Sequence, residues 1–285
     1  MNLGAHMSAA GGVDKALERG KSIGIDVVQL FTKNQRQWAA PPLQAENVDS
    51  FRSQASSFYS IFSHTSYLIN LASPQNELYE KSITSLADEL KRALELGIKM
   101  VVLHPGAHIG SGIPQGTERI AMGIISSYEL AGVEASEKVR ILLETTAGQG
   151  STIGSKFEEL RDIIDLLQGF DIPISICLDT CHIFAAGYDI SRAEVYEKTI
   201  TLLSERVGLD QVRVIHLNDS QGELGSRRDR HQHIGRGKIG VEGFRLIVND
   251  RRFRKIPMCL ETPKGPDMKE DLENLALLRS LKESR

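Results

Sequence analysis

A chain of 285 residues, 41% hydrophobic and 25% charged, is long enough to bury a large core and has an ordinary globular composition. Its net charge of −3 excludes nucleic-acid binding by bulk attraction, so any such partner must meet a local basic surface. Three cysteines without a C-x-x-C pair exclude a disulfide framework and a zinc ribbon, and no apolar run has the length of a membrane span or a signal segment. A cytoplasmic location is the expectation.

In chain order, short β-branched or apolar runs alternate with longer segments of helical period. The candidate strands are NLGAH (2–6), VVQLF (27–31), SIFSH (60–64), KMVVLH (99–104), RILLET (140–145), ISICLD (174–179), VRVIHLND (212–219) and PMCLET (257–262). Between them lie helical candidates, among them residues 77–97, 157–169 and 192–208, each expected to end on a glycine. Cys177 and Cys259 fall inside strand-like runs and read as small core residues. Nothing marks a domain boundary. Eight strands each followed by a helix predict a single (β/α)8 TIM barrel over residues 1–285, with a doubly wound open sheet as the rival.

A barrel of this kind carries its active site at the C-terminal ends of its strands. Strands three to eight end on His64, His104, Glu144, Asp179, His216 and Glu261, and the following loops add His182, Asp229 and His231. Any one of these alone reads as a hydrogen-bonded structural residue. Together they would crowd carboxylates in a low-dielectric site, where only cations relieve the repulsion. Five imidazoles and four carboxylates with no thiolate favour zinc over magnesium or calcium, and nine ligands suit three ions, or two with spare ligands. Three divalent ions would leave a formal local charge of about +2, suited to an anionic substrate such as a phosphodiester. The residues by themselves predict a multi-zinc hydrolase of phosphate esters.

The same residues lie in blocks that resemble the endonuclease IV family of apurinic/apyrimidinic endonucleases. The blocks GAHMSAAGG, QLFTKNQRQW, SYLINLASP, LHPGAH, LETTAGQGSTIG, LDTCHIFAAGYD, HLNDS, DRHQHIGRGKIG and LETP run in order from residue 4 to residue 263. The resemblance implies three zinc ions, with manganese admitted at one site. His64 and His104 would hold one ion, Glu144 would bridge it to a second held by Asp179, His216 and Glu261, and His182, Asp229 and His231 would hold the third. Arg36 and the pair Tyr67 and Leu68 would enter the duplex, and the basic run containing Arg227, Arg228 and Arg230 would contact its backbone. Arg236 stands where relatives often carry an acidic residue.

The implied activity is a DNA-repair hydrolase that cuts 5′ to abasic sites in duplex DNA. It would leave 3′-hydroxyl and 5′-deoxyribose phosphate ends and would trim blocked 3′ ends as a phosphodiesterase or phosphatase. The nucleophile would be metal-activated hydroxide, with Glu144, Glu261 and Asp179 as the catalytic carboxylates. A bacterial, monomeric protein acting at lesions on the nucleoid is implied. The alternatives are a sugar isomerase on a related barrel, a non-catalytic binder of damaged DNA and, more weakly, a metal-dependent amidohydrolase.

Overall fold

The strand-like runs do close on themselves. In the computed structural model, which describes residues 2–132 and 139–283, eight parallel strands form a closed barrel. They are β1 (Leu3–His6), β2 (Val27–Leu30), β3 (Ser60–His64), β4 (Met100–Leu103), β5 (Arg140–Glu144), β6 (Ile174–Asp179), β7 (Val212–His216) and β10 (Met258–Leu260). Two further short strands, β8 (Asp219–Ser220) and β9 (His231–Gln232), pair antiparallel outside the barrel. The helices are α1 (Val13–Ser22), α2 (Ala45–Ala55), α3 (Asn76–Leu96), α4 (Ile113–Ala131), α5 (Phe157–Leu166), α6 (Thr180–Ala186), α7 (Ala193–Arg206), α8 (Gly240–Asn249) and α9 (Lys269–Ser280). Two helices follow β6. The other barrel strands are each followed by one, and the fold is a (β/α)8 TIM barrel.

Two apolar layers hold it. Between strands and helices lies a continuous shell, to which α3 contributes Ile83, Leu86, Leu90 and Ala93 at helical spacing. Inside the barrel lies a separate plug of Val27, Phe62, Val102, Leu142, Cys177, Val214 and Cys259, one residue from each strand except β1. Burying a side chain of this size contributes roughly 1.5–3 kcal/mol. Cys177 and Cys259 are therefore packing residues, as their surroundings in the sequence suggest. At β1 the corresponding position is Gly4, where a Cβ would fall 1.6 Å from the Val27 carbonyl oxygen. Only glycine lets β1 and β2 approach so closely, and that approach sets His6 directly against Gln29.

Helix ends differ from expectation in two places. Helix α3 stops at Gly97, whose φ of 75° gives the left-handed cap. Helices α5 and α7 instead end at Leu166 and Arg206, and Gly169 and Gly208 serve the turns just beyond, with φ of 93° and 97°.

Candidate metal centre

Strand side chains alternate between the two faces of a sheet, so residue i+2 points the same way as residue i. Two residues beyond the plug members Phe62, Val102, Leu142, Cys177, Val214 and Cys259 stand His64, His104, Glu144, Asp179, His216 and Glu261. The plug directs all six to the barrel axis at its C-terminal mouth. His104 and Glu261 sit one residue past their strands as defined by hydrogen bonding, and the other four are the last residues of theirs. The same step of two from Val27 and Gly4 reaches Gln29 and His6, which complete an eight-membered polar ring.

His182 was expected in a loop; it lies on helix α6. Asp179 caps that helix, accepting the His182 backbone N–H at 2.8 Å, so the carboxylate and the imidazole three residues later are joined by an N-cap. Asp229 enters from the segment between β8 and β9 and His231 from the start of β9, and Asp229 N–H donates to Gln149 Oε1 at 3.3 Å.

The nine residues separate into three overlapping groups whose potential ligand atoms lie within 4.8 Å of one another. These are His64, His104 and Glu144; Glu144, Asp179, His216 and Glu261; and His182, Asp229 and His231. A further grouping places Cys181 with Asp179 and His231. Burial pushes the Cys181 thiol up to about 12, and its Sγ donates to the Arg230 carbonyl at 3.6 Å.

The ring nitrogens are oriented for cations. A carbonyl only accepts, so contacts to the Thr65, Thr145 and Glu261 carbonyls at 2.8, 2.7 and 3.2 Å place the proton of His64, His182 and His231 on Nδ1. Their Nε2 atoms then face carboxylates: His64 meets Glu144 at 3.1 Å, while His182 and His231 meet Asp229 at 3.2 and 3.5 Å. His104 Nε2 stands 2.9 Å from Glu144. The Nε2 atoms of His182 and His231 are buried without a hydrogen-bond partner. A proton or a metal cation on Nε2 reconciles such an imidazole with its carboxylate, and this set of imidazole and carboxylate donors fits divalent ions.

Gln29, which sequence reasoning missed, governs the remaining imidazole. Its Nε2 donates to Glu261 Oε1 at 2.5 Å and to His6 Nδ1 at 2.9 Å, so its Oε1 must receive the His216 Nε2–H at 2.7 Å. His216 Nδ1 is thereby turned toward Glu144 and Glu261, at 3.0 and 3.1 Å. Burial holds His6 down to about 3, and Glu261 only partly offsets it, so His6 remains the neutral acceptor this chain requires. Asn218 is a second omission: its Nδ2 donates to Asp179 Oδ2 at 2.6 Å and its Oδ1 accepts the Glu261 N–H at 2.8 Å. An uncharged amide inside an apolar run carries little signal. The step of two along β2 was the one clue to Gln29.

Electrostatics follow the same pairing. Burial opposes ionisation of Glu144, but His104 and His216 outweigh it and hold the carboxyl well below its usual range. Burial likewise opposes a charge on His182, and Asp179 and Asp229 reverse it.

The residues expected to meet DNA all lie on loops at this mouth. Arg36 is exposed after β2. Tyr67, 61% exposed after β3, sets its ring 5.6 Å from His64 and 5.9 Å from His104, directly over the centre, with Leu68 half-buried beside it. Arg227, Arg228 and Arg230 are exposed between β8 and β9, and Arg230 donates to the Asp229 carbonyl at 2.6 Å. Arg236 is engaged with Glu273 at 3.3 Å and Lys238 with Glu223 at 2.6 Å, so neighbouring carboxylates already neutralise these two cations. A cavity of about 270 Å3 opens beside His104, His182 and Asp229, lined also by Gln149, Thr152 and Arg230.

Fold and site define a class first: residues 17–281 match the family model described as the xylose isomerase-like TIM barrel. Within that class the chain is 52% identical over 280 residues to the probable endonuclease 4 of Chloroflexus aggregans, covering 98% of this chain and 96% of that one. It superposes on the crystal structure of endonuclease IV from Thermus thermophilus with a TM-score of 0.86 and 39% identity, covering 99% and 98% of the two chains. The chain belongs to the endonuclease IV family and is a hydrolase of the nuclease type. A D-tagatose 3-epimerase-like protein shares the fold at a TM-score of 0.72 but only 17% identity, which bears on architecture alone.

Proposed function

We propose that the protein is a DNA-repair endonuclease that hydrolyses the phosphodiester bond 5′ to abasic sites in duplex DNA, and that it clears blocked 3′ ends at the same centre. The observation that carries this reading is the nine-residue cluster of five imidazoles and four carboxylates, set under an exposed aromatic and flanked by exposed arginines.

The proposed holders of three zinc ions are His64, His104 and Glu144; Asp179, His216 and Glu261 with Glu144 shared; and His182, Asp229 and His231. Imidazole-rich sites favour zinc, and manganese is admitted at one position. Bound there, divalent ions would supply Lewis acidity at phosphorus oxygens and bring water within reach of ionisation near neutral pH. The protein's own groups do the rest. Gln29 and Asn218 fix the orientation of Glu261 and Asp179 by hydrogen bonds, which would keep both carboxylates directed at the proposed ions. Arg227, Arg228 and Arg230 would bind backbone phosphates. Arg36, Tyr67 and Leu68 would enter the duplex, replace lost stacking and leave room for an extruded sugar without its base. Among the described residues no helix is long and apolar enough to cross a membrane. The reading places the enzyme as a monomer in a bacterial cytoplasm, at lesions.

The sugar-isomerase alternative calls for a carboxylate-dominated site and a small polar substrate. Five imidazoles beside an exposed Tyr67 and a row of arginines argue for the nuclease. The test is cleavage of a duplex carrying one tetrahydrofuran abasic analogue, which cannot undergo β-elimination, with metal content measured on the same sample. The expected result is a nick on the 5′ side with an extendable 3′-hydroxyl, lost in Glu261→Gln, and about three zinc ions per chain. Fully metallated protein that binds the duplex without cutting it would overturn the proposal in favour of a lesion binder.

A further inference from the structure

Helix α3 lies outside the barrel, yet its buried face carries charges that the metal centre does not use. Lys33, on the loop after β2, has a side chain with no exposure; its Nζ donates to Asp88 Oδ2 at 2.9 Å and to Ser85 Oγ at 3.0 Å. Arg92 donates from Nε to Asp88 at 3.0 Å and from its guanidinium to the carbonyls of Ala40 and Pro41 at 3.2 and 2.5 Å. Both ends of the segment that contains Arg36 are thus fastened to α3. Glu89, also buried, accepts the Thr32 hydroxyl at 2.7 Å on that segment and the Ser66 N–H at 3.3 Å on the loop after β3. Ser66 then joins the two loops: its hydroxyl donates to the Gln35 carbonyl at 2.7 Å and accepts the Leu68 N–H at 3.2 Å. Apart from the Arg92–Asp88 pair within α3, each of these polar links ends on the loop that carries Arg36 or on the loop that carries the Tyr67–Leu68 pair.

Burying two cations and the Glu89 carboxylate, with Asp88 partly exposed beside them, costs desolvation, and apolar packing would stabilise at least as well. What the cluster provides in addition is a defined spacing between two loops. We propose that Lys33, Glu89 and Ser66 are positioning residues for lesion recognition: they hold Arg36 and the Tyr67–Leu68 pair at one fixed separation over the barrel mouth. The inference rests on the reading of those three side chains as duplex-entering groups. Preorganised loops enter a duplex without first losing conformational freedom, so loosening them raises the substrate concentration required rather than slowing the chemistry.

The test uses full-length metal-loaded protein and the variants S66A and E89Q, alone and combined with Y67A. S66A removes one hydroxyl and leaves every charge paired, so it remains informative if E89Q fails to fold. Each is assayed on the tetrahydrofuran duplex and on bis(p-nitrophenyl) phosphate, a small diester that offers no duplex for the loops to enter. KM for the duplex should rise about tenfold in E89Q and about threefold in S66A, with kcat, metal content and small-diester hydrolysis unchanged. In the Y67A background the added effect of either change should shrink, because one of the three side chains being positioned is gone while Arg36 and Leu68 remain. Additive losses with Y67A, equal losses on both substrates, or duplex kinetics like the wild type would each overturn the inference. Wild-type protein that leaves the duplex intact would instead sink the endonuclease reading, and this inference with it. If the small diester proves too slow to measure, the cycle with Tyr67 decides alone.

Discussion

Two residues along each strand separate two regions of this barrel that have opposite chemistry. Below lies the apolar plug from Val27 to Cys259; above lies the ring of His6, Gln29, His64, His104, Glu144, Asp179, His216 and Glu261. The strands, their pleat and their neighbours are the same in both. The difference teaches how a fold can carry a costly site. The plug is buried and almost wholly apolar, so it fixes side-chain direction at the next inward position, and the Cys177 thiol lies within hydrogen-bond reach of His216. The ring inherits that direction and accepts the strain of facing lone pairs and carboxylates. Stability and function are stacked, and each should fail separately.

The largest separation is expected from Glu144→Gln. The carboxylate belongs to two of the three groups, so its loss should lower duplex cleavage roughly 10^3-fold or more and reduce the zinc content. Thermal unfolding of the metal-free protein should shift far less than activity does; collapse of the fold in parallel with activity would erase the distinction between the layers. Phe62→Ala attacks the plug instead. Phe62 is fully buried, and its truncation should cost about 3–5 kcal/mol in denaturant unfolding while each folded molecule still cuts. Loss of turnover in protein that remains folded would show that the plug does more than aim the ring. The smallest effect is expected at the seam between β1 and β2. Gln29→Leu fills the same space but releases the His216 tautomer and Glu261, and should cost about 10–100-fold in zinc affinity or activity. Zinc titration with a competing chelator checks it, and an affinity equal to wild type would remove Gln29 from the site.

The contrast also explains what could be read from residues alone. Six ring members were legible because each ends an apolar run with a charged or imidazole side chain, a break visible within a few positions. The family blocks supplied the grouping of the nine, and the three clusters in space match it. His6 and Gln29 carry less signal, because an amide in the run VVQL differs little from a buried strand residue and a lone histidine closes NLGAH. The helical state of His182 was hidden because an N-cap and a strand-end ligand use the same aspartate.

The sequence by itself determined the alternation of strands and helices, the plug and the inward polar position above it, because periodicity and burial are local properties of a chain. Tertiary structure alone decided which of these residues meet. Barrel closure brings β1 against β2 and β10, and so places Gln29 between His6, His216 and Glu261, from strands far apart in the chain. Packing of α3 brings Glu89 to Thr32 and Ser66 in the same way. A hydrogen bond between distant residues leaves no period in a sequence; it exists only once the apolar layers have fixed where both partners stand.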